Sequence, residues 1–342
     1  MSSTAQSANS AIRARNFLWA TFFVMGISSM AWVPRIPEIK EQLNYGDGAF
    51  GFIILAGALG SVLGAQISGR AIHLIASRTF MRLTSITMSI GIYTMGSAHG
   101  SSTLVIGLLL TGLSFAALDV AANVQAMAIE KLTKARYMSS FHAMWSIGAF
   151  AVTLVGGILA RILTPSEHLK SLALIAFVCY QFTITWLLPA DLDGHKGEAH
   201  ESTDAKIPLF GKRVITLWAL GIGLMASFIP EAGIYDWSGI LLKEHMNVAK
   251  GATAAAATVY SLGMIVSRFL GDRWFERWGH QKTVQYGGYI AGISLGVSLI
   301  IGIPLSSINA WLGVSILCIG FGITGLCMGP FFPAFNLAAM SV

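Results

Sequence analysis

Long apolar runs separated by short polar stretches dominate this chain of 342 residues. The pattern predicts helices, because a segment in lipid must satisfy its own backbone groups and the runs lack the polar alternation of barrel strands. Most runs approach or exceed the roughly 20 residues that cross a bilayer. We predict ten apolar segments, at residues 16–33, 49–69, 83–98, 103–129, 139–160, 169–188, 214–242, 252–270, 283–303 and from 310 onward.

Composition strengthens the membrane assignment, since 54% of the residues are hydrophobic and only 11% are charged. The predicted fold class is therefore an all-α polytopic membrane protein. A net charge of +6 does not indicate nucleic-acid binding, because the basic residues lie in short loops and form no continuous face. The cysteines lie in apolar segments without metal-ligand spacing, so we expect no metal and no cofactor.

Basic residues are distributed unevenly between the two sides of the predicted helix threading. Of the 22 Lys and Arg residues, 16 lie on the side of the N-terminus and 6 on the other side. The positive-inside rule therefore predicts a cytoplasmic N-terminus. Arg13 and Arg15 precede an apolar run without a convincing cleavage site, which favours a retained first helix.

One connection is longer and more polar than the others, at residues 191–212. We predict that it is a cytoplasmic linker between a six-helix N-terminal half, residues 1–190, and a C-terminal half, residues 213–342. Two related halves are the organisation expected when a central solute path lies between them.

Residues 267–282 hold Gly-Asp, an Arg, an aromatic-Gly pair and trailing basic residues. This stretch resembles the signature loop of the major facilitator superfamily. The resemblance implies a loop that joins two helices of one half and controls their relative sliding. Asp272, Arg273 and Arg277 are the gating residues that it implies.

The corresponding stretch of the first half, residues 64–78, retains Gly69, Arg70 and Arg78. It has no acid at the position that matches Asp272. The resemblance therefore leaves open whether the first half uses the same charge relay at its cytoplasmic end.

Three further stretches, at residues 32–40, 118–123 and 139–148, resemble the fucose permease-like branch and its inner-membrane relatives. This implies a transporter of the bacterial inner membrane. Fucose permease itself has an acid in its first helix where this chain has residues 28–31 without one, so fucose is not the expected solute. Residues 329–333 resemble the tenth of that fold's twelve helices, so we expect the last two helices to be absent.

Asp119 is the clearest candidate for a functional residue, because an ionisable group near mid-membrane costs roughly 2.5–3.5 kcal/mol on insertion scales. Asn123 lies one helical turn later on the same face. A carboxyl in this position can take up a proton from one side and release it to the other, which is a coupling site. The alternative is that Asp119 only holds helices together.

Other candidates lie on the predicted fifth and seventh helices. His142 and Trp145 are predicted to contact solute, with a purely structural histidine as the alternative. Pro230 predicts a break in the seventh helix, and such breaks tend to line a solute path. Glu231 is therefore a second candidate for proton coupling, and Trp237 is predicted to contact solute. Asp236 is expected to be a solvated loop acid nearer the outer surface.

Together these features predict a secondary transporter that moves a small polar solute by alternating access coupled to protons, with a sugar as one candidate. A proton-driven exporter of metabolites or drugs is the first alternative. A membrane sensor without transport activity, or an inactive fragment, is the second. An enzyme is not expected, and the predicted partners are the solute, protons and the bilayer around a monomer.

Overall fold

The computed structural model describes residues 3–194 and 211–340, and within these ranges all regular structure is helical. The chain divides into two compact units, one ending at Gly197 and the other beginning at Glu198. Most of the predicted linker lies outside the described residues. The all-α fold class is confirmed.

The described part of the first unit contains seven helices and one 3-10 turn. Its short α2 follows directly on the 3-10 turn Val33–Arg35. The helices are α1 (Ser3–Ser29), α2 (Ile36–Leu43), α3 (Asp47–Ile75), α4 (Ser77–Gly96), α5 (Ser101–Thr133), α6 (Met138–Leu159) and α7 (Pro165–Thr185).

The second unit contains five described helices, and the last of them is short. Each apolar segment predicted from the sequence coincides with one or more observed helices. The helices are α8 (Lys212–Glu244), α9 (Ala255–Trp278), α10 (His280–Ser306), α11 (Ala310–Met328) and α12 (Phe331–Met340).

Eight helical segments among the described residues are long and apolar enough to cross a membrane. The helices α4 and α9 fall outside this set, although α9 has an apolar part at Ala255–Gly271. Large apolar side chains stand on the outer surface, including Phe52, Ile300 and Trp311, each at least 75% exposed. Such exposure suits a lipid environment and would be costly in water.

Glycines allow α3 and α5 to approach backbone to backbone. A Cβ at Gly60 or Gly64 of α3 would collide with backbone carbonyls of α5. These two glycines therefore serve close helix packing. Gly292 and Gly296 of α10, by contrast, have nothing within 4 Å of an added Cβ.

Two sequence expectations about interrupted helices are wrong. α8 continues through Pro230, which removes one backbone hydrogen bond without ending the helix. The signature stretch is not a loop either, because α9 runs to Trp278 and α10 begins at His280. Arg273 and Arg277 therefore lie in the last turns of a helix.

In each unit, one pair of consecutive helices is joined by a single residue with positive φ. Gly279, between α9 and α10, has φ 76° and ψ 159°. Ala76, between α3 and α4, has φ 67° and ψ 151°. Only glycine adopts this backbone region freely, and other residues pay about 1–3 kcal/mol there. The two units thus share one junction geometry, with a strained residue in the first.

We predict that Ala76→Gly raises the free energy of unfolding by about 1 kcal/mol, because removing the Cβ relieves the strain by more than the added chain entropy costs. Gly279→Ala should lower it by a similar amount. Melting temperatures of both purified variants in one detergent provide the measurement. An Ala76→Gly protein no more stable than wild type would show that Ala76 is unstrained.

Candidate functional site

The predicted polar stripe lies on α5, where Asp119 and Asn123 are both half-buried. The Asn123 side-chain amide donates to the backbone carbonyl of Asp119 at 2.9 Å. This bond holds the amide against its own helix, one turn from the carboxyl. The stripe is therefore an ordered feature of α5, which is a helix of 33 residues.

Both predicted residues of α6 are also half-buried, and each meets an aromatic ring of another helix. His142 contacts Phe22 of α1 edge-on, with the ring centroids 5.2 Å apart. Trp145 lies 6.3 Å from Phe115 of α5, measured between centroids. Since Phe115 is one turn before Asp119, Trp145 meets α5 next to the predicted coupling acid.

The position of α6 is set by direct backbone contact with α1. An added Cβ at Gly26 would collide with the Trp145 carbonyl, and one at Gly148 would collide with the Phe23 carbonyl. Because the helices touch at these two points, His142 and Trp145 project from a rigid surface rather than from a loop. Such support favours a well-defined binding geometry.

Aromatic side chains and one arginine form a cluster between α1 and the start of α6. The sequence interpretation missed this cluster. The Arg15 guanidinium lies 4.8 Å from the Trp19 ring centroid and 5.1 Å from that of Tyr137. It also donates to the Tyr137 hydroxyl at 3.2 Å. The Trp19 indole donates to Ser140 at 2.9 Å. The only sequence signal was an arginine just ahead of an apolar run.

In the second unit, Glu231 belongs to a polar cluster between α8 and α9. The Tyr235 hydroxyl lies 2.9 Å from the Ser261 hydroxyl. The rings of Tyr235 and Tyr260 meet edge-on with centroids 5.4 Å apart. Arg268 interacts electrostatically with Glu231. Arg268 lies within the predicted apolar segment at residues 252–270, so the sequence interpretation that places the basic residues in short loops does not fit it.

The remaining predicted residues of α8 and α9 are scattered. Asp236 is half-buried within α8, so its assignment to a solvated loop is wrong, because the helix does not break at Pro230. Trp237 is half-buried beside it. Arg277 is exposed, with its guanidinium 5.8 Å from the Trp278 ring centroid. The side chain of Asp272 lies outside the described part of the structure.

A hydrogen-bond network that the sequence interpretation missed surrounds the start of α4. Buried Asp193, just after α7, accepts hydrogen bonds from the backbone N–H of Ser77 at 2.9 Å and from its hydroxyl at 2.6 Å. The Gln125 amide of α5 donates to the same hydroxyl at 2.8 Å and exchanges two hydrogen bonds with the Leu188 backbone. One network thus ties the start of α4 to α5 and to the chain after α7.

Comparison with known proteins identifies the family. The family model described as Major Facilitator Superfamily matches residues 18–342. This match covers most of the chain, so the chain belongs to the Major Facilitator Superfamily, a family of membrane transporters.

Relatives are consistent with this assignment. An uncharacterized MFS-type transporter of Yersinia pestis is 24% identical over 321 residues, which cover 93% of this chain and 79% of the relative. The uncharacterized transporter y4wD of Sinorhizobium fredii is 28% identical over 285 residues, 82% of this chain and 72% of the relative. Both relatives are similar to this chain over most of their own length.

A solved structure shows the shared fold. A mutant form of the nucleoside transporter NupG superposes with a TM-score of 0.72, covering 95% of this chain and 82% of that one. Sequence identity is 14%, so the likeness concerns the fold alone.

We predict that Asp193→Ala lowers the free energy of unfolding by about 2 kcal/mol, because two donors of Ser77 lose their acceptor. The matched control is Asp191→Ala, which removes an exposed carboxyl two residues earlier. Melting temperatures in one detergent measure the difference. Equal shifts for the two variants would contradict a specific role for Asp193.

Proposed function

We propose that this protein is a secondary active transporter that moves a small polar solute by alternating access coupled to protons. The observation that carries the proposal is Asp119, a half-buried carboxyl inside a long apolar helix. An acid at this depth is costly and needs a functional reason. Family membership supports transport, and proton exchange at Asp119 would supply the driving force.

The surroundings of Asp119 support a solute with a polyhydroxylated ring. Trp145 presents a flat aromatic surface, and Asn123 and His142 carry hydrogen-bonding groups on the same two helices. Such a combination suits a sugar, which has apolar ring faces and hydroxyl edges. The fold relative NupG is described as a nucleoside transporter, and a nucleoside also contains a sugar ring.

The second unit contributes the remaining roles. Glu231 is proposed as the second proton-coupling acid, and Trp237 as a further solute contact. Asp272, Arg273 and Arg277 are proposed to govern the sliding of α9 against α10 during the transport cycle. We place the protein in the bacterial inner membrane as a monomer with a cytoplasmic N-terminus, and uptake by symport is the favoured direction.

The direct test is Asp119→Asn, which resembles the protonated carboxyl in shape and has no proton to release. We expect proton-driven accumulation to vanish, whereas exchange of solute between two equal pools should survive, because exchange needs no net proton release. Vesicles loaded with hexoses or nucleosides, with and without an inward proton gradient, measure both modes.

Asp191→Asn is the control, since it removes an exposed carboxyl outside the helices. It should retain both modes. Gradient-driven accumulation that persists in Asp119→Asn would remove Asp119 from the coupling mechanism. Accumulation driven only by an outward proton gradient in the wild type would indicate an exporter.

A further inference from the structure

Two opposite charges lie at the same depth in the second unit. Glu231 is 13 residues before the end of α8 at Glu244, and Arg268 is 13 residues after the start of α9 at Ala255. The chain between residues 244 and 255 joins these two helix ends. At 1.5 Å per residue, both charges lie about 20 Å from the joined ends.

The hydrogen bond between Tyr235 and Ser261 sets the register of the two helices. Glu231 is one turn before Tyr235 on the same face of α8, and Arg268 is two turns after Ser261 on the same face of α9. A helical side chain leans toward the N-terminus of its helix, so the Arg268 side chain extends back toward the level of Glu231. The rings of Tyr235 and Tyr260 meet edge-on between the two helices, one turn from Glu231 along α8.

Among the described residues of the second unit, Arg268 is the charged neighbour of Glu231, and Tyr235 and Tyr260 are its titratable neighbours on α8 and α9. The helices α11 and α12 also contact α8. Their sequences contain no Asp, Glu, Lys, Arg or His, and their titratable residues are Cys318 and Cys327 of α11.

We propose that Arg268 is a positioning residue that acts as the counter-ion of Glu231 between α8 and α9. A charge left without its partner in an apolar setting is strongly destabilising, whereas a matched pair is tolerated. Glu231 then takes up a proton only when its pairing with Arg268 opens. This last consequence rests on the proposed transport function, but the pair itself is testable without transport.

The test is a double-mutant cycle on the full chain, using Glu231→Gln, Arg268→Gln and the combined variant. At pH 8, Arg268→Gln should lower the melting temperature by several degrees, because it leaves Glu231 charged and unpaired. The melting temperature of the combined variant should fall by less than that of Arg268→Gln alone. If the loss of melting temperature in the combined variant equals the sum of the losses in the two single variants, the proposal is wrong.

The pH profile separates an ion pair from simple packing. As the pH falls from 8 to 6, Arg268→Gln should regain stability, because protonation removes the unpaired charge of Glu231. The wild type and the combined variant should lack this gain. Arg268→Lys, which retains the positive charge, should restore most of the stability at pH 8.

Asp236→Asn is the matched control, since it neutralises another half-buried acid on α8. A protein with both Asp236→Asn and Arg268→Gln should still regain stability as the pH falls from 8 to 6. If Arg268→Gln cannot be purified while the combined Glu231 and Arg268 variant can, the pair is supported. If neither can be purified, or if the pH profile of Arg268→Gln matches the wild type, the proposal is wrong. A failed transport assay with intact pairing would contradict only the proposed function.

Discussion

A charged or polar side chain on an apolar helix must find its partner within the same bundle, because lipid offers none. The fully buried Arg35, just after α1, meets this constraint through two of its three guanidinium nitrogens, while the third has no hydrogen-bond partner among the described residues. Its Nε donates to His168 at 2.9 Å, and one terminal nitrogen donates to both Glu38 and the Leu163 carbonyl at 3.0 Å. A single guanidinium therefore joins the chain after α1 to α7. Without such partners its burial would cost several kcal/mol.

The same constraint separates structural charges from functional ones. Arg35 bonds to three residues of the first unit, and Asp193 accepts two hydrogen bonds from Ser77, which indicates anchoring. Asp119 differs, because the polar group beside it is the neutral amide of Asn123, which bonds to its backbone carbonyl. A carboxyl that is not tied into several strong bonds can gain and lose a proton without breaking an anchoring contact. This contrast makes Asp119 the better candidate for a proton carrier.

Local sequence patterns predicted the helices well, since hydrophobic length and backbone satisfaction in lipid determine them. The predicted break at Pro230 was wrong because a proline costs one hydrogen bond, which packing within a long helix can offset. The role of Asp193 could not be predicted, because it caps Ser77 from 116 positions away along the chain. Partners that meet only through tertiary packing, such as Glu231 and Arg268, leave no short-range pattern.

Charge movement during transport tests the central claim of proton coupling most directly. Reconstituted protein on a supported membrane is exposed to a sudden step of hexose or nucleoside, with no proton gradient imposed. A neutral solute that travels with a proton carries positive charge, so we expect a sustained current in the direction of solute flux. The current should vanish in Asp119→Asn while labelled solute still exchanges. Net flux of labelled solute in the wild type without any current would contradict proton coupling.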